Sequence, residues 1–184
     1  MLPVTLRTGR LALSVPTADD AAAILAACQD AGIQRFTTVP SPYRAEHAAE
    51  FLRTAAAGWA EETETVWAMR RDGVLAGMIG LHALGRGTGE LGYWLAPAFR
   101  GSGLAAEAAA VVVAWGFDGP LALARIEWRA VVGNTGSARV AQRLGFRYAG
   151  VLRRALVNGT GMRSDAWVAD LLATDPRTPL PWPV

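Results

Sequence analysis

The chain has 184 residues, of which 52% are apolar, and this length suits one domain with its own hydrophobic core. Its net charge is only +2, from 18 basic and 16 acidic residues, and every basic residue is an arginine. Because so small an excess is spread along the chain, the composition excludes the clustered basic surface of a nucleic-acid-binding protein. The single cysteine, Cys28, excludes an internal disulfide, and no metal-binding spacing is present.

No segment of the chain has the character of a membrane span. The longest apolar stretch, Gly103 to Phe117, is about 15 residues long and contains Glu107, whereas a bilayer needs about 20 apolar residues. The stretch from Met1 to Arg10 alternates polar and apolar residues and lacks the charged and then apolar pattern of a signal peptide. We therefore expect a protein of the reducing cytoplasm that does not associate with membranes.

Two helices are predicted near the N-terminus. Thr17 is followed by acidic residues that favour the positive end of a helix dipole, and strong helix formers then predict a helix over Ala21 to Ala31. A second helix is predicted from Ser41-Pro42-Tyr43 to about Gly58, because its apolar residues recur at helical spacing. The segment between them, Gly32 to Pro40, is predicted to be a loop.

The middle of the chain predicts strands. Three segments are rich in β-branched and aromatic residues, namely Thr65 to Arg70, Val74 to Leu84 and Glu90 to Leu95. Asp72-Gly73 separates the first two, and Gly85-Arg86-Gly87 separates the last two. Since both are turn sequences of β-hairpins, this part of the chain is predicted to form an antiparallel meander.

Helices and strands are predicted to alternate in the rest of the chain. The predicted elements are a helix over Gly103 to Phe117, a strand over Arg125 to Val131, a helix over Asn134 to Leu144, and strands over Arg147 to Val157 and Met162 to Leu171. The pattern indicates an α/β (α+β) fold with one mixed, mostly antiparallel sheet of about seven strands and about four helices on its two faces. We expect residues 1–175 to form this single domain and the Pro-rich residues 176–184 to form an extended tail.

One loop indicates that the protein binds an anion. Arg100-Gly101-Ser102-Gly103-Leu104-Ala105 follows a predicted strand and opens an apolar helix, so free amides at the helix start point at whatever binds there. A guanidinium at a helix N-terminus is disfavoured by about 0.3–1 kcal/mol unless an anion lies beside it, so Arg100 favours a bound phosphate. Short glycine-containing turns of this kind also occur without a ligand. The dinucleotide and nucleoside-triphosphate signatures are both absent.

Further motifs follow in a fixed order. The strand reads Gly89-Glu90-Leu91-Gly92-Tyr93-Trp94-Leu95-Ala96-Pro97, and it is followed after the loop by Asn134-Thr135-Gly136-Ser137 and then by Leu144-Gly145-Phe146. Together with the R-x-x-G-x-A loop, these segments resemble the GNAT superfamily of acyl-CoA-dependent N-acyltransferases, and most of all its RimJ/RimL-like branch. The resemblance extends from about Leu6 to Leu172. It implies a splayed sheet and acetyl-CoA as the cofactor.

The resemblance also implies which residues hold coenzyme A. The pyrophosphate would bind, largely through backbone amides, at Arg100, Gly101, Ser102, Gly103, Leu104 and Ala105. Relatives frequently have a basic residue where this chain has Ser102. The main chain of Trp94 and Leu95 would pair with the pantetheine arm, and the side chain of Asn134 would bind the same arm. A split between this strand and Arg125 to Val131 would leave a slot for the thioester.

Glu90 is the predicted proton acceptor for the amine, and His82 is its predicted cross-strand partner. Similar enzymes keep a carboxylate at the position of Glu90, and burial would raise the pKa of this carboxyl and make it a better base. The alternative is that Glu90 lies at the exposed start of its strand. If the preceding turn is centred near Arg86, His82 lies directly opposite Glu90 and the two can share a proton. Otherwise His82 is a packed or solvated histidine.

The proton donor to the leaving thiolate departs from the family pattern. Many relatives use a tyrosine three residues before the L-G-F segment, but this chain has Ala141 there. In the RimL-like branch a serine of the N-x-x-S motif is thought to take that part, which implies Ser137 with Asn134 as a helper. The alternatives are that Ser137 only stabilises the first helical turn, or that the thiolate leaves with hydrogen-bond assistance alone.

The energetics of deprotonation favour an α-amine as the acceptor. Deprotonating a lysine ammonium at pH 7 costs roughly 4.6 kcal/mol, against about 1 kcal/mol for an α-amine. The acceptor is expected to enter between the predicted loop, the second helix and the last hairpin. These segments offer a mixed aromatic and charged wall, whose predicted members are Arg35, Phe36, Tyr43, His82, Asp165 and Trp167.

The sequence therefore predicts an N-acetyltransferase that moves an acetyl group from acetyl-CoA to a primary amine in a ternary complex. The amine would be a peptide or protein N-terminus or a small molecule. The alternatives are a non-catalytic acyl-CoA-binding module of the same fold and a transferase of a larger acyl group. Trp59, Trp115, Trp128 and Trp182 either cover a dimer surface or fill the core, which leaves a homodimer open.

Overall fold

The computed structural model describes all residues from 1 to 184 and shows one eight-stranded sheet between two groups of helices. The strands are β1 (Leu6–Arg7), β2 (Ala12–Ser14), β3 (Thr65–Arg71), β4 (Val74–Gly85), β5 (Thr88–Leu95), β6 (Arg125–Val131), β7 (Arg147–Val157) and β8 (Arg163–Leu172). The helices are α1 (Ala21–Ala27), α2 (Ala31–Phe36), α3 (Ala45–Glu61), α4 (Leu104–Asp118) and α5 (Thr135–Arg143). None of the helices is both long and apolar enough to cross a bilayer.

The predicted fold class is confirmed, with one strand and one helix more than expected. The sheet order is β1-β2-β3-β4-β5-β6-β8-β7, and every neighbouring pair is antiparallel except β5 with β6. The two N-terminal strands were not predicted because they have only two and three residues. The meander of β3, β4 and β5 lies where its turn sequences predict it.

The boundaries of the first helices differ from the prediction. The predicted helix over Ala21 to Ala31 ends at Ala27, and helix α2 lies in the segment predicted as a loop. Asp30 causes the difference, because its backbone is extended and its Oδ1 accepts the amide of Ile33 at 2.8 Å, which starts a new helix. The alanine-rich composition predicts helix through this break and does not reveal the restart.

The core lies on both faces of the sheet. Along β3, Trp67 packs in the main cluster beneath α4, whereas its neighbour Ala68 packs in a smaller cluster under α1 to α3. Trp59 and Trp128 are 1% exposed, and Trp182 donates its Nε1–H to the carbonyl of Phe146 at 2.9 Å. The tryptophans therefore fill the core, and Trp182 fastens the C-terminal segment to the sheet.

The sheet opens at one place. Strands β5 and β6 pair in parallel at only three positions, of which the last joins Glu90 to Glu127. Beyond that point β5 continues beside β4 as far as Leu95, and β6 continues beside β8 as far as Val131. The two strands separate from each other while each keeps its other neighbour. The predicted split in the sheet is therefore present.

A partly buried ion pair joins the N-terminal segment to β3. The carboxylate of Asp20 accepts hydrogen bonds from Nη1 and Nη2 of Arg70, both at 2.7 Å, and from the amide of Thr17 at 2.8 Å. The side chain of Asp20 is only 5% exposed. Because water cannot replace these partners easily, this ion pair holds α1 against the sheet.

We expect Asp20→Asn to lower the free energy of unfolding by about 2 kcal/mol, because it leaves the guanidinium of Arg70 without its counter-charge. Urea denaturation followed by circular dichroism measures the change. The matched control is Asp118→Asn, because Asp118 pairs with Arg177 in the same way but is 69% exposed. The control is expected to change the free energy by less than about 0.5 kcal/mol. Equal losses in the two variants would contradict this account.

Candidate functional site

A cavity of about 1130 Å³ opens where β5 and β6 separate. One part of its wall is the turn before α4, with Gly101 and Gly103, and another part carries His82 and Glu90. Residues of β5, β6 and α5 line the cavity between these two parts. We call this cavity the central cleft. Because it is continuous, a ligand bound at the turn can reach the charged residues at the other end.

The turn before α4 presents a row of free amides. Gly101 and Gly103 have φ angles of +73° and +81°, a backbone conformation that favours glycine. The amides of residues 101–106 donate no hydrogen bond to any other group of the protein. Leu104 is fully buried and does not line the cleft, unlike Gly101, Gly103, Ala105 and Ala106. Such a row at a helix N-terminus binds anions, and phosphate groups above all.

Arg100 has a different partner from the one inferred from the sequence. Its Nη2 donates to Oδ1 of Asp30 at 2.6 Å, and its Nε donates to the carbonyl of Leu95 at 3.1 Å. The hydrogen bond from Arg100 also lowers the pKa of the Asp30 carboxyl. Because Asp30 supplies the anion beside this guanidinium, Arg100 does not by itself require a bound phosphate. It still lines the cleft and is 43% exposed.

The other predicted cofactor residues lie along the same cleft, with one exception. Trp94 and Leu95 lie beyond the last β5–β6 pair, so β4 is their only strand neighbour. Asn134 also lines the cleft, and its Oδ1 accepts the amide of Ser137 at 3.3 Å, which leaves its Nδ2 without a partner in the protein. Ser102 lines a smaller adjacent cavity, and its hydroxyl donates to the carbonyl of Phe99 at 2.7 Å.

Ser137 belongs to a hydrogen-bonded cluster in the wall of the cleft. Its Oγ accepts the indole Nε1–H of Trp128 at 3.0 Å and lies 2.7 Å from the hydroxyl of Tyr93. Burial raises the pKa of Tyr93 to about 12, so this phenol stays protonated and can donate. When both neighbours donate to Oγ, the hydroxyl hydrogen of Ser137 is free to point into the cleft. Tyr93 was not predicted as a site residue.

Glu90 is half-buried in the wall of the cleft, and an arginine lies beside it. Its Oε2 is 3.4 Å from Nε of Arg129, and its side chain is 33% exposed. Burial raises the pKa of the Glu90 carboxyl, while the charges of Arg129 and His82 act in the opposite direction. The predicted direction of the pKa shift is therefore present. Arg129 was not predicted as a site residue. The sequence does place it two positions after Glu127, and therefore on the same face of β6.

His82 lies directly opposite Glu90, as its distance from the turn predicts. Its Nδ1, however, is 2.8 Å from Oε2 of Glu64, a residue that sequence analysis did not single out. Glu64 immediately precedes β3, and the adjacent pair is Thr65 with Leu81. The same register that places Glu90 beside His82 therefore places Glu64 on its other side. Only the pairing of β3 with β4 reveals this contact.

The predicted acceptor wall is partly present. Phe36, Tyr43 and His82 line the cleft, and the guanidinium of Arg35 lies 5.0 Å from the ring centre of Phe36 without lining the cleft itself. Burial raises the pKa of Tyr43.

The placement of Asp165 and Trp167 in this wall was wrong. Asp165 accepts the amide of Arg154 at 2.8 Å in the β7–β8 hairpin. Trp167 is 7% exposed and packs in the main core. Both belong to β8, whose residues pair with β6 on one side and β7 on the other, and neither side chain reaches the cleft.

Comparison with known proteins identifies relatives of this site and fold. Residues 10–147 match the family described as "Acetyltransferase (GNAT) domain". The uncharacterized N-acetyltransferase YoaA of Bacillus subtilis (strain 168) is 34% identical over 165 residues, which cover 87% of this chain and 92% of YoaA.

Solved structures have the same fold. RimJ of Mycobacterium smegmatis, solved in complex with CoA-disulfide, superposes with a TM-score of 0.83 at 22% identity, covering 93% of this chain and 87% of RimJ. The ribosomal-protein-S5-alanine acetyltransferase of Vibrio fischeri superposes with a TM-score of 0.81 at 19% identity, covering 94% of this chain and 98% of that protein. At these identities the two structures show a shared fold. Together with the family match, the free amides and the split sheet, they establish that the chain belongs to the GNAT acetyltransferases, enzymes that take their acetyl group from acetyl-CoA.

Proposed function

We propose that this protein transfers the acetyl group of acetyl-CoA to the α-amine of a peptide or protein, or to a small primary amine, in a ternary complex. The observation that carries the proposal is the continuity of the central cleft, which joins the free amides before α4 to Glu90 and His82. An anionic donor and a cationic acceptor can therefore meet where β5 and β6 separate. Acetyl-CoA supplies the activated acetyl thioester.

Each end of the cleft suits one of the two substrates. The amides of residues 101–106 would hold the pyrophosphate, and the unpaired edge of Trp94 and Leu95 would hold the pantetheine arm. Glu90 would attract the ammonium of the acceptor, and Glu90 and His82 together would take up its proton. Ser137 would donate a hydrogen bond, and then a proton, to the leaving thiolate.

Two considerations favour an α-amine over a lysine side chain. Deprotonating an α-amine at neutral pH costs about 1 kcal/mol, which suits a site with one half-buried carboxylate. The structural relative from Vibrio fischeri is named for an alanine of ribosomal protein S5. The aromatic side chains of Phe36 and Tyr43, which line the cleft, offer apolar contacts to the first residues of such a peptide.

The activity itself can be tested by following free-thiol release from acetyl-CoA with a panel of amines. The panel contains a peptide with a free N-terminus, the same peptide with a blocked N-terminus and one lysine, and a small primary amine. We expect turnover with the free N-terminus, and mass spectrometry should place the acetyl group on the α-nitrogen. Tight binding of coenzyme A without transfer to any amine would instead identify a silent binding module.

We expect Glu90→Gln to lower kcat by roughly 10²-fold, because it removes a carboxylate that handles the proton of the amine. The dissociation constant of acetyl-CoA should stay unchanged, since Glu90 lies away from the amide row, and calorimetry measures it. Glu46→Gln is the matched control, because Glu46 is 67% exposed and lies outside the cleft. An active Glu90→Gln enzyme would remove Glu90 from the mechanism.

We expect Ser137→Ala to lower kcat by about tenfold or more, because the thiolate loses its proton donor. Tyr93→Phe keeps the serine but removes one of the donors that orient it, so a smaller loss of kcat is expected. Thermal denaturation of both variants serves as the control, since removing either partner also leaves a buried polar group unsatisfied. If only thermal stability falls while kcat is retained, the role of Ser137 is structural.

Arg139 and Arg143 extend the anion site proposed at the amide row. They lie one turn apart on α5, both line the cleft, and neither forms an ion pair. We expect Arg143→Gln to weaken coenzyme A binding about fivefold to tenfold and 3′-dephospho-coenzyme A binding less, because the guanidinium would contact the 3′-phosphate. Arg153→Gln, the same charge change at an exposed site on β7, is the control. Equal loss for both ligands would place Arg143 at the pyrophosphate.

A further inference from the structure

Titratable side chains form a continuous row across the sheet at the acceptor end of the cleft. Strand pairing places His82 opposite Glu90, Glu90 beside Glu127, and Glu127 opposite Asp170. Glu64 extends the row on the far side of His82. Residues that face each other across neighbouring strands lie on one face of the sheet, so these groups are close enough to influence one another's charge. Glu64 and His82 form the pair at the end of this row.

The pair of Glu64 and His82 fixes the proton arrangement of the imidazole. Oε2 of Glu64 is 2.8 Å from Nδ1 of His82. A carboxylate can only accept a hydrogen bond, so Nδ1 carries the proton and donates it. In the neutral imidazole the other nitrogen, Nε2, is then an unprotonated acceptor. The side chains of Glu64 and His82 are 22% and 37% exposed, so the hydrogen bond between them is partly shielded from water.

The imidazole is seated on two glycines that face each other. Gly80 of β4 pairs with Gly92 of β5. A Cβ added at Gly80 would lie 3.0 Å from Nε2 of His82, and one added at Gly92 would lie 3.1 Å from the same atom. The ring therefore occupies the space that side chains at these positions would need. His82, Glu90 and Gly92 all line the cleft, so the imidazole forms part of its wall.

The backbone near Glu64 and His82 has two unusual features. A β-bulge interrupts the β4–β5 pairing directly after His82, and Ala83 within it has a φ of +50°, which is unfavourable for alanine. On the other side, the chain of Glu64 crosses Gly58 at the end of α3, where a Cβ would overlap its Cγ. Two strained or crowded positions are thus tolerated where Glu64 and His82 meet.

We propose that Nε2 of His82 is the final acceptor of the proton that the substrate ammonium loses, and that Glu64 positions the imidazole for this step. The inference rests on the proposed function. The ammonium gives one proton to Nε2, and the partly exposed His82 releases it to water. A second N–H proton is lost when the N–C bond forms and the C–S bond breaks, and it is balanced by the proton that the thiolate takes up.

The surroundings of His82 favour this assignment. Among the titratable side chains at this end of the cleft, imidazole has the ordinary pKa nearest to that of an α-amine, about 6.5 against about 7.8. The carboxyl groups of Glu64 and Glu90 lie on the two sides of the ring. The charged and titratable groups near this region are Glu64 before β3, Glu90 on β5, Glu127 and Arg129 on β6, and His47 and Glu50 of α3 in the cleft wall.

The experiment compares kcat/KM for the amine against pH in the wild-type enzyme, His82→Gln and Glu64→Gln. We expect His82→Gln to lower kcat/KM by roughly 10²-fold at pH 7 and by much less above pH 9, where the amine is already neutral. Glu64→Gln should lower it about tenfold and move the acid limb of the profile to lower pH, because the imidazolium loses its counter-charge. Acetyl-CoA affinity should be unchanged in both variants.

Glu61→Gln is the matched control, because Glu61 is an exposed neighbour of the same charge at the end of α3. Loss of activity that is equal at all pH values, or a Glu64→Gln profile that superposes on the wild type, overturns the proposal. Glu64→Gln keeps the side-chain size, so it stays informative if His82→Gln does not fold. A wild-type enzyme that acetylates no amine defeats the proposed function, whereas an active wild type with unaffected variants defeats only this inference.

Discussion

The separation of β5 from β6 after Glu90 is the constraint on which the rest of the site depends. Strand β5 is held by β4 along its length and β6 is held by β8, so the two can diverge without losing their outer neighbours. The divergence leaves main-chain donors and acceptors of β5 without a strand partner at the wall of the cleft. Buried main-chain groups need partners, and an extended ligand arm with amide groups can supply them. The opening thus leaves main-chain groups of β5 free for a ligand to pair with.

Electrostatics divide the cleft into two ends with opposite preferences. Free amides at the start of α4 and the guanidiniums of Arg139 and Arg143 favour anions at one end. Glu64 and Glu90 flank His82 at the other end and favour a cation. The two ends of the cleft therefore differ in the sign of the charge that they favour. The ion pair of Arg100 and Asp30 ties the turn before α4 to the start of α2.

The middle of the cleft is occupied by neutral hydrogen-bonding groups. Ser137, Tyr93 and Trp128 come from α5, β5 and β6, so their cluster spans the opening between the strands. The general acid that many relatives carry three residues before the L-G-F segment is Ala141 here, and Ala141 is fully buried in the core. A tyrosine hydroxyl, that of Tyr93 on β5, lies 2.7 Å from Oγ of Ser137. The cluster carries no formal charge and lies between the end that favours anions and the end that favours cations.

The sequence by itself determined the elements that local patterns encode. Turn residues and alternation located the meander and the opposition of His82 and Glu90, and the glycines before α4 located the amide row. The motif order indicated the family. The break at Asp30 was missed because alanine-rich segments predict helix on both sides of it.

The tertiary structure decided which groups meet across distant segments. Glu64 reaches His82, Tyr93 reaches Ser137 and Asp30 reaches Arg100 through contacts whose partners lie 18, 44 and 70 residues apart. Asp165 and Trp167 were misplaced for the same reason, since the position of β8 between β6 and β7 is a property of the whole sheet. Periodicity and turn chemistry report on neighbours along the chain, whereas strand order and the packing of helices on the sheet select the partners of a side chain.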